Sequence, residues 1–263
     1  IVLVFGIIIF ILDLGTTGLV DETPPLFAAA ARAMSESGDW LTPKVNGIFR
    51  FDKPPLIYWL MGFFYSLPKI EIWDSLGTLS ARLPSSLGSL FLMLMIADTL
   101  FCWPQKDDKQ FLTPIVGSLG FALSPLIIIW SRTAVSDALL TGTLGISLLL
   151  FWRRMASENN DKCIAAWAFL GFAILTKGPV AFVLATLTIT FFLIIQKDWR
   201  SLLYKINPKK GFLITILISV PWYLLEFLKE GKPFWDNFFG YHNLQRYTSV
   251  SYTHLRAHET AYY

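Results

Sequence analysis

Residues 163–196 read CIAAWAFLGFAILTKGPVAFVLATLTITFFLIIQ, two apolar blocks, Cys163–Leu175 and Val180–Gln196, parted only by Thr176-Lys177-Gly178-Pro179. A lone lysine followed by glycine and a helix-starting proline reads as a tight turn between two membrane-facing helices. Outward from this pair, further blocks lie at Leu83–Trp103, Phe111–Ser131, Ala138–Trp152 and Phe212–Leu228, and a shorter run opens the chain at Ile1–Leu12. These predict about seven transmembrane helices, some shorter than usual and dependent on flanking side chains that reach the interface. Pro125 and Pro221 fall inside spans, where a kink is tolerated if neighbours satisfy the freed carbonyls. Ile1–Leu12 rises only about 18 Å, against about 30 Å for a bilayer core. Its helix is therefore expected to continue beyond residue 1, in a longer protein. No basic segment and no small-residue cleavage site flank the run, which argues against a signal peptide.

Composition agrees with the blocks. Of 263 residues, 54% are hydrophobic, 16% aromatic and 16% charged, with a mean hydropathy of +0.52. Disorder, collagen and coiled coil are excluded, and a soluble domain fits poorly. The net charge of +3 is too mild to argue for nucleic acid. Cys102 and Cys163 have no metal-ligand spacing and suggest no disulfide framework.

The basic residues set the topology. Alternate threading puts 103–110, 153–162 and 197–211 on one side, with Lys106, Lys109, Arg153, Arg154, Lys162, Lys197, Arg200, Lys205, Lys209 and Lys210. The short loops on the other side, 131–137 and 176–179, carry only Arg132 and Lys177. Ten against two places the first set in the cytoplasm. The second set faces outward, with the long loop Asp13–Arg82 and the segment after Leu228.

That outer loop has structure of its own. The alanine-rich stretch Leu26–Met34 predicts a helix, and Pro54-Pro55 starts another over Pro54–Leu67. Tyr58, Trp59 and Tyr65 suit the headgroup level, so this second helix is expected to lie in the interface. An extra span there would reverse every later loop and destroy the charge bias.

Unusual polar residues gather on the outer face. They are Asp21 and Glu22 after the first span, Asp52 and Lys53, Arg82, Arg132 and Asp137, Lys177, and His242 and Arg246 after the last span. Charges at membrane depth cost about 2.5–3.5 kcal/mol each on insertion scales, so they need partners or an anionic ligand. Phosphate is the anion that Arg forks and Lys point charges suit best. Taken singly, Asp21 also reads as a helix cap, Arg82 as the partner of a carboxylate, and the cations and aromatics as interfacial anchors.

Several motifs carry a resemblance. Asp21-Glu22-Thr23, Ser37-Gly38-Asp39-Trp40-Leu41-Thr42-Pro43, Asn46-Gly47 and Asp52-Lys53-Pro54-Pro55-Leu56-Ile57-Tyr58-Trp59-Leu60 resemble the first outer loop of the GT-C membrane glycosyltransferases that use polyprenyl-phosphate sugars. Ala81-Arg82-Leu83-Pro84-Ser85, Leu175-Thr176-Lys177-Gly178-Pro179 and His242-Asn243-Leu244-Gln245-Arg246 look like later landmarks of the group, in the same order. The likeness runs from about Asp13 to Thr248 and is nearer the bacterial aminoarabinose transferases than the protein O-mannosyltransferases.

The resemblance implies an all-α polytopic domain over 1–249 and transfer of a sugar from a polyprenyl-phosphate donor to a lipid A, protein or glycan hydroxyl. The active site would face outward from a bacterial inner membrane. Asp21, with Glu22 beside it, matches the catalytic acidic position. Lys53, Lys177, Arg246 and, less closely, Arg132 match positions near the donor phosphate. Tyr58 and His242 become candidate substrate contacts. Asp52 and Asp137 match acidic positions suited to a divalent ion, although this sequence requires no cofactor. Pro24-Pro25-Leu26-Phe27 and Ala28–Ala31 replace the Arg-Tyr-Ala-Glu common in relatives, which removes one cation and one carboxylate from the usual set.

Residues 250–263 form no span, and their histidines lack metal-motif logic, so they are set apart as a non-native tail. The rival from another class is a secondary transporter or lipid flippase. Those place charges near the midplane and often show related halves, and no repeat is visible here.

Overall fold

The structure is a computed structural model that describes residues 1–68, 70–103, 110–156, 162–197 and 199–245. Arg246 and the tail 250–263 lie outside the described residues. In chain order the elements are α1 (Val2–Phe10), α2 (Thr23–Ser37), a hairpin of β1 (Lys44–Val45) and β2 (Ile48–Phe49), α3 (Leu56–Tyr65), α4 (Ile70–Trp73), α5 (Thr78–Cys102), α6 (Leu112–Ala122), α7 (Pro125–Ser131) and α8 (Ser136–Ala156). There follow α9 (Lys162–Lys177), α10 (Pro179–Ile195), α11 (Trp199–Ile206), α12 (Pro208–Glu230), α13 (Lys232–Trp235) and a π-helical stretch, Asp236–Gln245. Each apolar block of the sequence is a helix or, for Phe111–Ser131, a helix pair.

By length and composition alone, fewer of the described helices qualify as full spans than the sequence has apolar blocks. Among the described residues, α5 and α12 are long and apolar enough to cross a membrane, and α6 with α7, bent by 66°, make a third if they form one span. α9 has 16 residues and α10 has 17. At 1.5 Å per residue these rise about 24 to 26 Å, short of the bilayer core. α8 is long enough at 21 residues but carries Asp137, Arg153 and Arg154. The α6–α7 bend falls at Ser124-Pro125, where the ring lacks the N–H that would continue the ladder. Pro221, by contrast, sits within an unbroken α12.

The two ends of the bundle sort as the charge bias predicts. At one end, Trp103 packs on Trp152 with ring centroids 4.5 Å apart, and Arg153 Nη1 donates to Asp98 Oδ2 at 2.5 Å. There too Arg154 Nε donates to the Lys205 carbonyl at 2.9 Å. The amphipathic α11 thus closes the basic end. At the other end, Ser85 and Ser86 hydroxyls donate to the Val135 and Ser131 carbonyls, each at 2.8 Å, and Trp222 Nε1 donates to the Leu41 carbonyl at 3.0 Å. Between the ends α5 and α8 pack closely: a Cβ on Gly142 would stand 2.5 Å from the Gly88 carbonyl oxygen. Only small residues permit that approach.

The outer loop folds down onto this second end. α2 starts at Thr23-Pro24-Pro25 and stops at Gly38, which adopts the left-handed conformation (φ 73°). Its small face, with Ala28, Ala30 and Ala31, receives Ile57, Tyr58, Met61 and Tyr65 of α3, and the pair sits on Ala81, Ala134, Val135 and Leu139. With 10 residues, α3 rises about 15 Å and does not span. Two of its aromatics correct the sequence expectation: Tyr58 is 0% and Tyr65 9% exposed, turned into protein rather than toward headgroups, while Trp59 stays half-buried. The alanine face of α2 leaves room for them, and burial there removes more apolar area from water than the interface would.

Candidate functional site

The end covered by the long loop carries the polar residues that the sequence singles out. Gly178 joins α9 to α10 with φ 83° and ψ −156°, a conformation open essentially only to glycine. A Cβ on Gly178 would stand 3.8 Å from Cγ of Pro54 and 3.3 Å from Cζ of Phe238. The Lys177 turn therefore abuts the bend Asp52-Lys53-Pro54. Lys177 Nζ forms an ion pair with Asp137 Oδ1 from the start of α8, and both side chains stay partly exposed, at 30% and 42%. Two of the predicted cations and both predicted acidic ligands thus lie on neighbouring elements. Beside Asp137, a cleft of about 280 Å³ opens between α5, α7 and α8, lined by Ser89, Leu126, Ile127, Trp130 and Thr141.

Asp52 is held by a half-buried triangle. Arg50 Nη2 donates to Asp52 Oδ2 at 2.8 Å, Arg50 Nε to the Tyr58 hydroxyl at 3.0 Å, and that hydroxyl to Asp52 Oδ1 at 3.2 Å. Arg50 also lies 5.1 Å over the Phe27 ring, which stacks on Tyr58 at 5.2 Å. Burial, followed by the nearby Asp52 carboxylate, pushes the Tyr58 hydroxyl well above its ordinary pKa. Burial works against the Arg50 charge, but Tyr58 and Asp52 hold the guanidinium above its ordinary value. Tyr58 is thereby an internal donor to Asp52 and has no exposed surface for a sugar.

Asp21 sits at the mouth of α2. It is exposed, with φ 78°, and its Oδ1 accepts the Glu22 backbone N–H at 2.7 Å. Left-handed backbone is uncommon outside glycine, and such strain gathers at functional positions. Leu19, two residues earlier, packs against the cluster that contains Tyr58 and Val135, so Asp21 belongs to the same end of the bundle as Lys53 and Asp137. Glu22 is the N-cap residue of α2 but makes no side-chain cap. His242 lies in the π-helical stretch after α13, a rare geometry frequent at functional sites.

Arg132 is placed differently from the sequence expectation. Its Nη1 and Nη2 donate to the carbonyls of Ile9 and Leu12 at 3.0 and 2.8 Å, so it caps the end of α1. Arg82 does the same for the chain that follows, donating to the carbonyls of Leu14, Thr17 and Gly18 at 2.7–2.9 Å rather than to a carboxylate. As for a metal, Asp52 and Asp137 each already hold a cation, and no group of three or more His, Cys, Asp or Glu gathers among the described residues. These two carboxylates do not fit a metal centre on their own.

Sequence reasoning missed the part played by Arg50. Its signal was a cation two residues before Asp52 and eight before Tyr58. It also missed a clasp between the loop and α12. Lys229 and Lys44 pair with Asp39 at 2.9 and 3.1 Å, and the Thr42 hydroxyl donates to the fully buried Glu226 at 3.1 Å. Its partners lie up to 190 residues apart, and no local pattern could have joined them.

The helical bundle with its folded loop is a GT-C-type membrane fold, as the comparisons show. Residues 52–224 match the model of the dolichyl-phosphate-mannose-protein mannosyltransferase family, and the chain belongs to that family. It is 30% identical over 84% of its length to an uncharacterized Aquifex aeolicus protein, covering 47% of it. It is also 26% identical over 93% to an undecaprenyl phosphate-alpha-4-amino-4-deoxy-L-arabinose arabinosyl transferase of Pseudomonas fluorescens, covering 43% of that protein. The crystal structure of ArnT from Cupriavidus metallidurans bound to undecaprenyl phosphate superposes with a TM-score of 0.83 at 25% identity, over 95% of this chain and 45% of that one. The chain thus spans about half the length of the curated relatives it matches.

Proposed function

We propose that this chain forms the donor-binding half of a glycosyltransferase that moves a sugar from a polyprenyl phosphate to a hydroxyl of lipid A, protein or glycan. The observation that carries this is that Pro54 lies beside the Lys177-Gly178 turn, which gathers Lys53, Lys177, Asp52 and Asp137 at one end of the bundle. The similarity to a protein crystallised with undecaprenyl phosphate supports a lipid phosphate as the anion. The ten-to-two charge bias supports an active site on the extracytoplasmic face of the inner membrane.

In this scheme the lipid phosphate competes with Asp137 for Lys177, while Lys53 and Arg246 complete its counter-charge. The bond between the anomeric carbon and the phosphate oxygen breaks as the acceptor oxygen bonds to that carbon. The acceptor proton passes to Asp21, and the lipid phosphate leaves with its charge held by the lysines. Asp52, tied to Arg50, orients the loop. His242 is kept as an acceptor-side contact, and no step is routed through a divalent ion.

Transfer of radiolabelled sugar from an undecaprenyl-phosphate donor, in full-length protein reconstituted in vesicles, tests the reading. Asp21→Asn is expected to lower the rate about 10²–10⁴-fold. Undiminished transfer by this variant would overturn the role of Asp21, and substrate flux without transfer would point to a transporter.

A further inference from the structure

We propose that Arg50 is a positioning residue for the donor site. By pinning Asp52 together with Tyr58, it fixes the Asp52-Lys53 bend against the Lys177 turn, so that a lipid phosphate meets a preset pair of lysines. The inference rests on the lipid-phosphate reading above and names the residue that holds its geometry.

The segment Arg50–Lys53 crosses between two packed clusters. Phe51 is 5% exposed and is inserted beside Leu175, Trp222, Phe234 and Phe238, with its ring 5.4 Å from that of Phe234. Arg50 and Asp52 turn the other way, onto Tyr58 and Phe27 in the cluster that joins α2 to α3. The backbone is therefore gripped on both sides immediately before the Lys53-Pro54 step that lies beside the Lys177 turn. The grip on the second side is directional. Arg50 uses Nη2 for the carboxylate and Nε for the phenol, while the phenol serves the second carboxylate oxygen. A fork of this kind permits one arrangement, whereas an apolar contact of equal area tolerates several.

The side chains of Arg50 and Asp52 are only 16% and 21% exposed, and both ends of the ion pair are satisfied. Bulk stability does not call for such a pair, since burying two charges costs about what their attraction returns. What it supplies is a fixed position for the next residue. Arg50 acts through Asp52, so its loss loosens the site without removing a ligand.

The test uses the full-length protein in nanodiscs, with undecaprenyl phosphate as the binding probe and its sugar-loaded form as the substrate. Arg50→Met is expected to weaken donor binding and raise the donor KM about 10–100-fold, with kcat at saturating donor within about 3-fold of wild type. Arg50→Lys, which keeps one bond to Asp52, should recover part of that loss. Tyr58→Phe, which keeps the ring stacking and so keeps the fold, should raise KM about 3–10-fold. Adding Asp52→Asn to Arg50→Met should cost little more, because the two act as one unit. A wild-type KM in Arg50→Met or Tyr58→Phe would overturn the proposal, as would a fall in kcat at unchanged KM or additive losses in the double variant. If the wild type itself failed to bind undecaprenyl phosphate, the functional reading would fail instead. Equal binding by wild type and Arg50→Met would sink only this inference.

Discussion

Two corners of the same end use their cations in opposite ways. Where α1 meets α5 and α7, Arg82 and Arg132 donate to backbone carbonyls between Ile9 and Gly18. Where α3 meets α8 and α9, Arg50 and Lys177 pair with the carboxylates of Asp52 and Asp137. At the first corner both guanidiniums are spent on carbonyls of the end of α1 and the segment after it, which ties that segment to α5 and α7, so that corner is structural. At the second corner the Lys177–Asp137 pair stays partly exposed, and in the proposed function it is there that a phosphate replaces the carboxylate, while the less exposed Arg50–Asp52 pair holds the loop. Identical residue types thus divide by what they are bonded to.

The contrast breaks first on Arg82. Arg82→Met leaves the carbonyls of Leu14, Thr17 and Gly18 unpaired near a residue that is 8% exposed. The expected loss is about 1–3 kcal/mol, mostly from the buried Leu14 carbonyl, read as a lower melting temperature in detergent. A wild-type melting curve would remove the structural reading of that corner. Lys177→Met should show the reverse pattern. Transfer falls about 100-fold, while stability changes by about 1 kcal/mol or less because the pair is partly exposed. Lys177→Arg should keep an intermediate rate, and an unfolded Lys177→Met protein would erase the difference between the corners.

The smallest effect concerns the clasp at Asp39, which belongs to neither corner. Burial alone would raise its pKa, but hydrogen bonds from Lys229, Lys44 and the backbone of Thr42 and Leu41 win and hold it at about 2, against an ordinary 3.8. A carboxyl lowered in this way stabilises the fold above its ordinary value, and the contribution disappears as pH falls through about 2. Half-exposed and solvent-screened, it is expected to contribute about 1 kcal/mol. Melting temperature followed from about pH 5 downward should drop for the wild type and stay flatter for Asp39→Asn. Parallel curves would show that the clasp does not hold the loop.

Much of the fold was legible in the chain because apolar block length and turn residues are local properties. Lys177-Gly178-Pro179 announced its own turn, and Pro54-Pro55 started α3 as expected. The fates of Tyr58 and Arg132 were not legible. Whether an aromatic meets headgroups or alanines depends on a helix some thirty residues away, and Arg132 found α1 more than a hundred residues back along the chain.

By itself, then, the sequence determined which segments are helical, which ends of the bundle they share and which residue types stand at each end. Hydrophobicity, prolines and charge bias act along one dimension, so this much could be read in order. Only the tertiary structure decided which charge meets which partner. A guanidinium is satisfied equally by a carbonyl, a carboxylate or a phosphate, and proximity in three dimensions selects among them.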